Sequence, residues 1–290
     1  MNQNRLTVIA CLVTLLVSAC TTTNTLNESV AVVGTFNIEW LGDGEEDKMP
    51  RTDAEYLLIA DIIAKTGADV LAVEEIENQN AMQKVLRYLH DYSGTVSANG
   101  GKQRVGVVYK RGVDIRVIGD YPALQLDRPN RLRPGLLLEC SKGSFRWLQL
   151  CVHLKSTSRY DSTPALMEES RMLRTRQVSV IKSFVDSVLK SGKDSNLVVT
   201  GDFNDYPGRK SNPTLDALLD GTLVFVTQGL KSCANPRWFT IDHIAVTPQL
   251  ASRVVSGTMR IENQHDYLSA ADAEQVSDHC PVVVAFSCTP

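Results

Sequence analysis

One short segment, residues 196–205, constrains the fold and the chemistry of this chain most. Its apolar first half predicts a buried strand, and Gly201 ends that strand. Asp202 and Asn204 stand two residues apart, so in an extended chain both side chains point to the same face. In open α/β sheets, ligands bind beyond the carboxyl ends of the strands. The alternative interpretation is a plain turn, because Gly, Asn and Asp are turn formers.

Apolar runs along the rest of the chain predict many strands with a few helices between them. Two pairs of runs, 105–109 with 113–118 and 136–140 with 145–152, are separated by short turns and predict hairpins. We find no internal repeat or linker inside residues 30–288, so we predict one domain with two sheets packed face to face and helices outside. The predicted strands are 30–35, 69–73, 105–109, 113–118, 136–140, 145–152, 196–200, 241–246 and 282–286, and the predicted helices are 52–65, 81–89, 168–190 and 213–219.

The composition is that of an ordinary globular protein and excludes an overall basic one. The chain has 290 residues, of which 43% are hydrophobic and 22% are charged. Its net charge of −3 argues against a surface that coats nucleic acid through general electrostatic attraction. A local basic groove is compatible with that charge, so a nucleic-acid substrate is not excluded.

The first residues have the layout of an export signal rather than of folded structure. A positive charge at Arg5 precedes an apolar run over residues 6–17, which is too short for a comfortable transmembrane helix. The run ends in residues 16–20, which resemble a bacterial lipobox. This resemblance implies cleavage before Cys20 and lipid attachment to its thiol. The alternative is an ordinary cleaved signal peptide in which this cysteine stands by chance.

A lipobox divides the chain into a signal peptide over residues 1–19, a flexible tether over 20–29 and a domain over 30–288. Thr21, rather than Asp, follows the cysteine. By resemblance to lipoprotein sorting in Gram-negative bacteria, this favours the outer membrane. We therefore expect a monomeric protein of the bacterial cell envelope that is held to the membrane through a lipid anchor at Cys20.

The cysteines of the predicted domain are odd in number, so at least one thiol is unpaired. An exported protein can form disulfides. A bridge between Cys140 and Cys151 fails on distance: if residues 141–144 form a tight turn, Cys140 faces Phe145, and Cys151 lies about 20 Å farther along. Any bridge must therefore be long-range, and its pairing stays open. The five cysteines are Cys140, Cys151, Cys233, Cys280 and Cys288.

Acids, amides and histidines follow or open most of the predicted strands. Each of them alone has an ordinary interpretation, such as a half-buried histidine, a solvated loop or a helix cap. Together they are harder to explain in that way, because carboxylates and histidines are costly to bury unless they are paired or metal-bound. The residues are Asn37, Glu39, Glu75, His153, Asp202, Asn204, Asp242, Asp278 and His279.

At these positions the chain resembles the endonuclease/exonuclease/phosphatase (DNase I-like) superfamily, in the family's motif order over about residues 37 to 284. The resemblance implies an α+β fold, a four-layer α-β-β-α sandwich of two packed, mostly antiparallel sheets with helices outside. It also implies a metal-dependent hydrolase of phosphodiester bonds. The motifs are TFNIEWL (35–41), VLAVEEI (70–76), GVVY (106–109), VHLKS (152–156), GDFND (201–205), IDHI (241–244) and SDHCPV (277–282).

The resemblance also implies a role for each site residue. His279 acts as general base, and Asp242 orients its ring. Asp202 positions the attacking water, while Asn204 and His153 contact the phosphate, His153 alternatively acting as general acid. Oxygen ligands suit Mg²⁺, or Mn²⁺, as the cofactor, and we expect no nucleotide cofactor. The expected metal ligands are Glu75, Glu39 and Asp278, and the expected substrate contacts are Asn37, Tyr109, Arg104 and Arg171.

The resemblance is closest to secreted bacterial nucleases, which favours DNA, or alternatively RNA, as the substrate. Basic residues at 104, 128, 131, 133, 155, 159, 171, 174 and 176 suit a nucleic-acid backbone. One alternative is a phosphatase or phosphodiesterase that acts on a small or lipid phosphate. A second alternative is a non-catalytic envelope lipoprotein on the same fold.

Overall fold

The computed structural model describes residues 29–129, 131–158, 160–193 and 195–289. The predicted signal peptide and the lipidation site at Cys20 lie outside these residues, as does Arg159. No helix within the described residues is long and apolar enough to cross a membrane.

Two six-stranded sheets pack face to face, with sheet orders β11-β12-β1-β2-β4-β3 and β5-β6-β7-β8-β10-β9. The first sheet consists of β1 (Val30–Leu41), β2 (Val70–Ile76), β3 (Tyr92–Val96), β4 (Arg104–Lys110), β11 (Arg260–Ile261) and β12 (Val282–Ser287). The second consists of β5 (Asp114–Tyr121), β6 (Gly135–Lys142), β7 (Phe145–His153), β8 (Leu197–Asp202), β9 (Val224–Phe225) and β10 (Asp242–Val246).

Each sheet contains one parallel pair, and its other pairs are antiparallel. The parallel pairs are β1 with β2 and β7 with β8. Parallel pairing brings the carboxyl ends of both partners to one edge, so Asn37 lies opposite Glu74 and His153 opposite Asp202. The antiparallel strand β10 begins at the same edge, with Asp242 opposite Asp202. This topology therefore collects the polar strand ends that the sequence scatters over more than two hundred residues.

Five α-helices lie outside the sheets in the described part of the chain, which confirms the predicted α-β-β-α sandwich. One apolar cluster fills the space between the sheets, a second lies beneath α1 and α2, and a third beneath α3. Helix α1 begins at a capping box between Thr52 and Glu55 and ends at Gly67, whose φ is 66°. The helices are α1 (Asp53–Thr66), α2 (Gln79–Leu86), α3 (Pro164–Ser191), α4 (Pro248–Ala251) and α5 (Ala270–Val276).

One predicted hairpin is wrong and the other is confirmed with a shifted register. Strands β4 and β5 do not pair, because β4 lies between β2 and β3 in the first sheet and β5 pairs with β6 in the second. Strands β6 and β7 form the second hairpin, but Lys142 rather than Cys140 lies opposite Phe145. The turn is shorter than predicted because Gly143, with a φ of 58°, accepts the left-handed backbone that a two-residue turn requires.

Several smaller elements also differ from the sequence prediction, and β9, β11, α4 and α5 were not predicted at all. Strand β3 was missed, because its residues Tyr-Ser-Gly-Thr-Val carry little apolar signal. The predicted helix at 213–219 is only a short 3-10 turn over Asp216–Leu218.

A long-range disulfide joins Cys233 to Cys280, which are 47 residues apart in sequence. Cys140, Cys151 and Cys288 are free and buried. A long-range bridge was predicted, but the sequence left its pairing open. The bridge fastens the segment before β10 to the residue that follows His279.

Candidate active site

Asn37 lies at the point where the two sheets meet. Its side-chain amide donates to Asp202 Oδ2 (3.2 Å) in the second sheet and to Glu75 Oε1 (3.5 Å) in its own sheet. Its Oδ1 atom accepts a hydrogen bond from the Glu39 N–H (3.0 Å). Because Asn37 is buried and uses both ends of its amide, it orients three carboxylate-bearing segments at once.

The backbone after Asn37 adopts a costly conformation that places Glu39. Glu39 and Trp40 have φ values of 50° and 55°, in the left-handed region that non-glycine residues rarely adopt. The Arg51 guanidinium stabilises this turn, because its Nη2 donates to the carbonyls of Ile38 (2.8 Å) and Glu39 (2.6 Å). The same nitrogen donates to the Val276 carbonyl (2.9 Å) at the end of α5. Arg51 therefore joins the Glu39 turn to the segment that carries Asp278 and His279.

Three acidic residues, Glu39, Glu75 and Asp278, lie around this joint. The Asp278 N–H donates to Glu39 Oε2 (3.1 Å), and the Trp40 N–H donates to Glu75 Oε2 (3.3 Å). Burial raises the pKa of Glu39, and the nearby charges of Asp278 and Glu75 raise it further. Crowded carboxylates of this kind suit a hard divalent cation, which takes oxygen ligands and removes the mutual repulsion. Oxygen donors of this kind suit the expected metal, but the ligand atoms of Glu39, Glu75 and Asp278 are not one of the groups that lie within 4.8 Å of one another in the described residues.

His279 and Asp242 form a hydrogen-bonded pair beside the acidic group. Nδ1 of His279 lies 2.8 Å from Asp242 Oδ2, which also accepts from Thr240 Oγ1 (3.3 Å). Nε2 of His279 lies 3.7 Å from Asp278 Oδ1. Burial opposes a charged ring, but the carboxylates of Asp242, Asp202 and Asp278 outweigh it and hold the pKa of His279 well above its usual value. The structure thus brings the predicted base and its orienting acid together.

Asp202 lies between His153 and the Asp242–His279 pair, which we call the dyad. Its Oδ2 lies 3.4 Å from His153 Nε2, and ligand atoms of Asp202, Asp242 and His279 lie within 4.8 Å of one another, close enough to hold a metal ion. Burial is the main cause that raises the pKa of Asp202. Burial, followed by the charge of Arg133, lowers the pKa of His153 well below its usual value. His153 is therefore neutral near pH 7 and suits hydrogen bonding to a phosphate better than general-acid work.

The side-chain amide of Asn204 donates its hydrogen bonds to groups of the protein itself. Its Nδ2 donates to the Leu154 carbonyl (3.1 Å) and to Asp202 Oδ2 (3.1 Å), and its backbone N–H donates to Asp202 Oδ1 (2.7 Å). Both amide hydrogens are therefore in use. The geometry favours Asn204 as the residue that orients Asp202, rather than as the predicted phosphate donor.

Of the predicted substrate contacts, Tyr109 is wrong. Tyr109 lies opposite Val70, at the start of β2, whereas Arg104 lies opposite Ile76, at the site edge. Strand β4 runs antiparallel to β2, so it begins at the site and carries Tyr109 to the far end of the sheet. The sequence showed that this run was a strand, but it did not show the direction of the strand.

The two predicted arginine contacts lie outside the acidic cluster. Arg104 donates to the carbonyls of Gly101 (3.0 Å) and Ser97 (3.4 Å), and so shapes the loop before β4. Arg171 pairs with Glu168 on α3 and lines a surface groove. Neither guanidinium has a hydrogen bond or ion pair to a cluster residue within the described part of the chain.

Arg133 was predicted only as one of nine basic residues that suit a nucleic-acid backbone, with no assigned place in the site. Its guanidinium is buried and donates to the Gln103 carbonyl (3.2 Å) and to Gln103 Oε1 (3.1 Å). Burial lowers the pKa of Arg133, while the charges of Glu75 and Asp202 raise it. A buried cation beside these carboxylates suits an anionic substrate. The only sequence signal was its place in the Arg- and Pro-rich segment 127–134.

Glu74 is a second residue that the motif comparison passed over. Unlike Glu75, it is fully buried between the sheets, where its Oε1 accepts from Thr35 Oγ1 (2.9 Å). Burial, and then the charge of Asp242, raises the pKa of Glu74 well above its usual value. Glu74 therefore lies beneath the site and Glu75 within it, because β2 turns at Glu75, whose φ is 64°.

Several solved structures share this fold. Truncated TDP2 from Caenorhabditis elegans is 17% identical over 89% of this chain and 97% of that chain, with a TM-score of 0.61. A mannosyl-6-phosphatase from Bacteroides thetaiotaomicron is 20% identical over 88% of this chain and 98% of that chain, with a TM-score of 0.59. TDP2 from D. rerio, complexed with a single-strand DNA product, is 15% identical over 89% of this chain and 99% of that chain, with a TM-score of 0.62.

At these identities the structural likeness shows the fold alone. A comparison with curated protein sequences finds no match. The sequence pattern of the Endonuclease/Exonuclease/phosphatase family, in contrast, matches residues 34–279, which is most of the chain. That span includes every residue of the acidic cluster and both members of the dyad. The chain therefore belongs to the endonuclease/exonuclease/phosphatase family.

Proposed function

We propose that this protein is a Mg²⁺-dependent nuclease that hydrolyses phosphodiester bonds in DNA. Membership of the family supports metal-dependent phosphoesterase chemistry. The observation that carries the proposal is the Asp242–His279 pair, joined at 2.8 Å and placed beside Glu39, Glu75 and Asp278.

Glu75, Glu39 and Asp278 would hold the metal ion. When bound, the ion neutralises charge on the phosphate and on the departing oxygen. Mg²⁺ suits this set because it is held by one or two carboxylates together with waters. Mn²⁺ takes similar oxygen ligands and is the expected substitute.

His279 takes the proton from the attacking water. Asp242 fixes the ring through Nδ1, which leaves Nε2 to accept that proton. The Asp242 carboxylate then stabilises the imidazolium that forms. Thr240 Oγ1 donates to the same oxygen of Asp242 and helps to orient it.

Asp202 and its neighbours position the water and the phosphate. Asn37 and Asn204 both donate to Asp202 Oδ2, so this carboxylate is oriented before the substrate arrives. A neutral His153 donates a hydrogen bond to a phosphate oxygen. The Arg133 guanidinium adds a positive charge on the same side, which suits a phosphate diester.

One observation supports nucleic acid as the substrate over a smaller phosphate ester, and one supports the smaller ester. The D. rerio TDP2 structure of the same fold contains a single-strand DNA product. The buried cation Arg133 suits either substrate, since both carry a phosphate anion. The mannosyl-6-phosphatase of this fold supports the second candidate, a phosphatase that acts on a small phosphate ester.

We also infer that the protein is anchored in the bacterial outer membrane through Cys20. The support is the sequence of residues 1–21 alone, since these lie outside the described structure. Growth with labelled palmitate is expected to label the protein, and Cys20→Ser is expected to abolish the label. An unlabelled wild-type protein would contradict the anchor.

Plasmid nicking tests the proposed activity directly. The protein without residues 1–20 is incubated with supercoiled plasmid and Mg²⁺, with and without EDTA. We expect metal-dependent nicking that His279→Ala abolishes and His90→Ala, a change at an exposed histidine, leaves intact. Intact plasmid together with phosphate release from a sugar phosphate would favour the phosphatase. Activity on neither of these substrates, nor on a single-stranded oligonucleotide, would favour the non-catalytic lipoprotein.

A further inference from the structure

The loop of residues 231–240 is fastened directly beside His279. Its Cys233 is bonded to Cys280, the next residue after that histidine. Within the loop, the Ser232 N–H donates to the Trp238 carbonyl (3.0 Å). At the end of the loop, the Thr240 N–H donates to the Leu230 carbonyl (3.1 Å). The loop is therefore a braced element whose shape is set before any substrate binds.

This braced loop exposes two aromatic rings next to a narrow cleft. Trp238 is 67% exposed and Phe239 is 39% exposed. The cleft has a volume of about 200 Å³ and runs from these rings to Asp242 and His279. Sites for drug-sized ligands are larger, about 300 Å³ and above, so this cleft suits one planar ring rather than a large ligand. Exposed apolar rings at a catalytic cleft indicate a binding surface.

Cations alternate with the aromatic rings on this surface. Lys231 Nζ lies 3.4 Å from the centroid of the Phe239 ring. The ring of Tyr206 lies 5.1 Å from that of Phe239, and the Arg209 guanidinium lies 4.4 Å from the Tyr206 centroid. Rings that accept bases, next to cations that accept phosphates, are the composition of single-strand binding surfaces.

We propose that the 231–240 loop binds the nucleotide next to the scissile phosphate of a single-stranded nucleic acid, with its base stacked on Trp238. This inference rests on the proposed nuclease function. A base in a duplex is already stacked on both faces, whereas an unpaired base has a face to offer. A lone sugar phosphate has no second phosphate for Lys231, whereas a polymer has one at every residue. The Arg209 guanidinium already pairs with the Asp205 carboxylate. The surface therefore favours a single-stranded polymer over a duplex or a small ester.

The kinetic test compares three substrates: a labelled single-stranded oligonucleotide, the same strand with abasic residues around the cleavage site, and the duplex. Trp238→Ala is expected to lower kcat/KM for the base-bearing single strand by about tenfold or more, because the base loses its stacking partner. The ratio of kcat/KM between the base-bearing and abasic strands falls in the same variant. Trp238→Phe keeps a ring and restores most of that ratio. The control is Val117→Ala, at an exposed apolar residue on β5, the opposite edge strand of the second sheet.

A binding measurement without turnover tests the same contact. In EDTA, stacking on Trp238 is expected to quench tryptophan fluorescence when the single strand is added, and Trp238→Phe is expected to remove the quenching. Cys233→Ser unfastens the loop and is expected to lower the base-to-abasic ratio, with a thermal melt confirming that the variant is folded.

The outcomes separate this inference from the proposed function. A wild-type protein that cleaves no oligonucleotide would overturn both the proposed nuclease function and the proposed stacking on Trp238. If the wild-type protein cleaves the single strand but Trp238→Ala leaves the ratio of kcat/KM between the base-bearing and abasic strands unchanged, only the proposed stacking on Trp238 is overturned. Equal cleavage of duplex and single strand would also overturn it.

Discussion

Replacing Asp242 with Asn tests the role of the dyad, because it removes one charge with little change in shape. Asp242 Oδ2 lies 2.8 Å from His279 Nδ1, and both side chains are largely shielded from solvent. A hydrogen bond to a charged group contributes about 1.5–3 kcal/mol. At about 1.4 kcal/mol for each factor of ten, its loss should lower kcat about 10- to 150-fold.

The same substitution should shift the pH profile in a defined direction. His279 must be neutral to accept a proton, so activity rises with pH as the ring loses its proton. The carboxylates around the ring hold the pKa of His279 well above its usual value. The activity of the wild-type protein should therefore rise with pH above about pH 6.5. Removing the Asp242 charge lowers that pKa. The rising part of the pH profile in Asp242→Asn should therefore move to lower pH.

The assay is kcat on a labelled oligonucleotide from about pH 5 to about pH 10, with saturating Mg²⁺. Asp114→Asn is the matched control, since it removes the same charge from an exposed residue on β5. A rising part of the profile that stays in place or moves to higher pH in Asp242→Asn would refute the reasoning, as would an unchanged kcat.

Three further predictions concern the metal, the joint and the disulfide. Glu75→Gln should remove most Mg²⁺ binding in calorimetry while circular dichroism stays native; tight binding by this variant would exclude Glu75 as a ligand. Arg51→Ala should lower the free energy of unfolding by about 3 kcal/mol in urea titration, because buried carbonyls lose their donor. The same substitution should also weaken Mg²⁺ binding. Arg51→Lys should recover part of the lost stability and part of the lost Mg²⁺ binding. Equal stability and equal Mg²⁺ binding in the Ala and Lys variants would contradict this prediction. Reduction of the Cys233–Cys280 bridge, whose cysteines are 47 residues apart, should cost about 4 kcal/mol, and an unchanged melting temperature in reductant would count against this.

Local sequence patterns were enough to predict most of the longer elements and to select the candidate site residues. The apolar run before Gly201, the spacing of Asp202 and Asn204, and the ends of α1 are all set within a few residues. Turn chemistry and helix capping act over that same short range, which explains why these features could be predicted. The ordered motifs then identified the family, which the match over residues 34–279 shows.

The partners of those elements could not be predicted in the same way. A strand's alternation is the same whichever neighbour it pairs with, so the sequence placed β4 and β5 in one hairpin although they belong to different sheets. The direction of β4 was hidden for the same reason, and this misplaced Tyr109. The pairing of Cys233 with Cys280 depends on distances that only the folded chain has.

The sequence by itself determined which side chains are candidates for the chemistry, since Glu75, Asp202, Asp242 and His279 stand in recognisable local patterns. Only the tertiary structure decided the positions and pKa values of these side chains. The buried charge of Arg133, the hold of Arg51 on the Glu39 turn and the braced aromatic loop arise from contacts between distant segments. Burial and neighbouring charge set pKa values and positions, and both are properties of packing that no local pattern records.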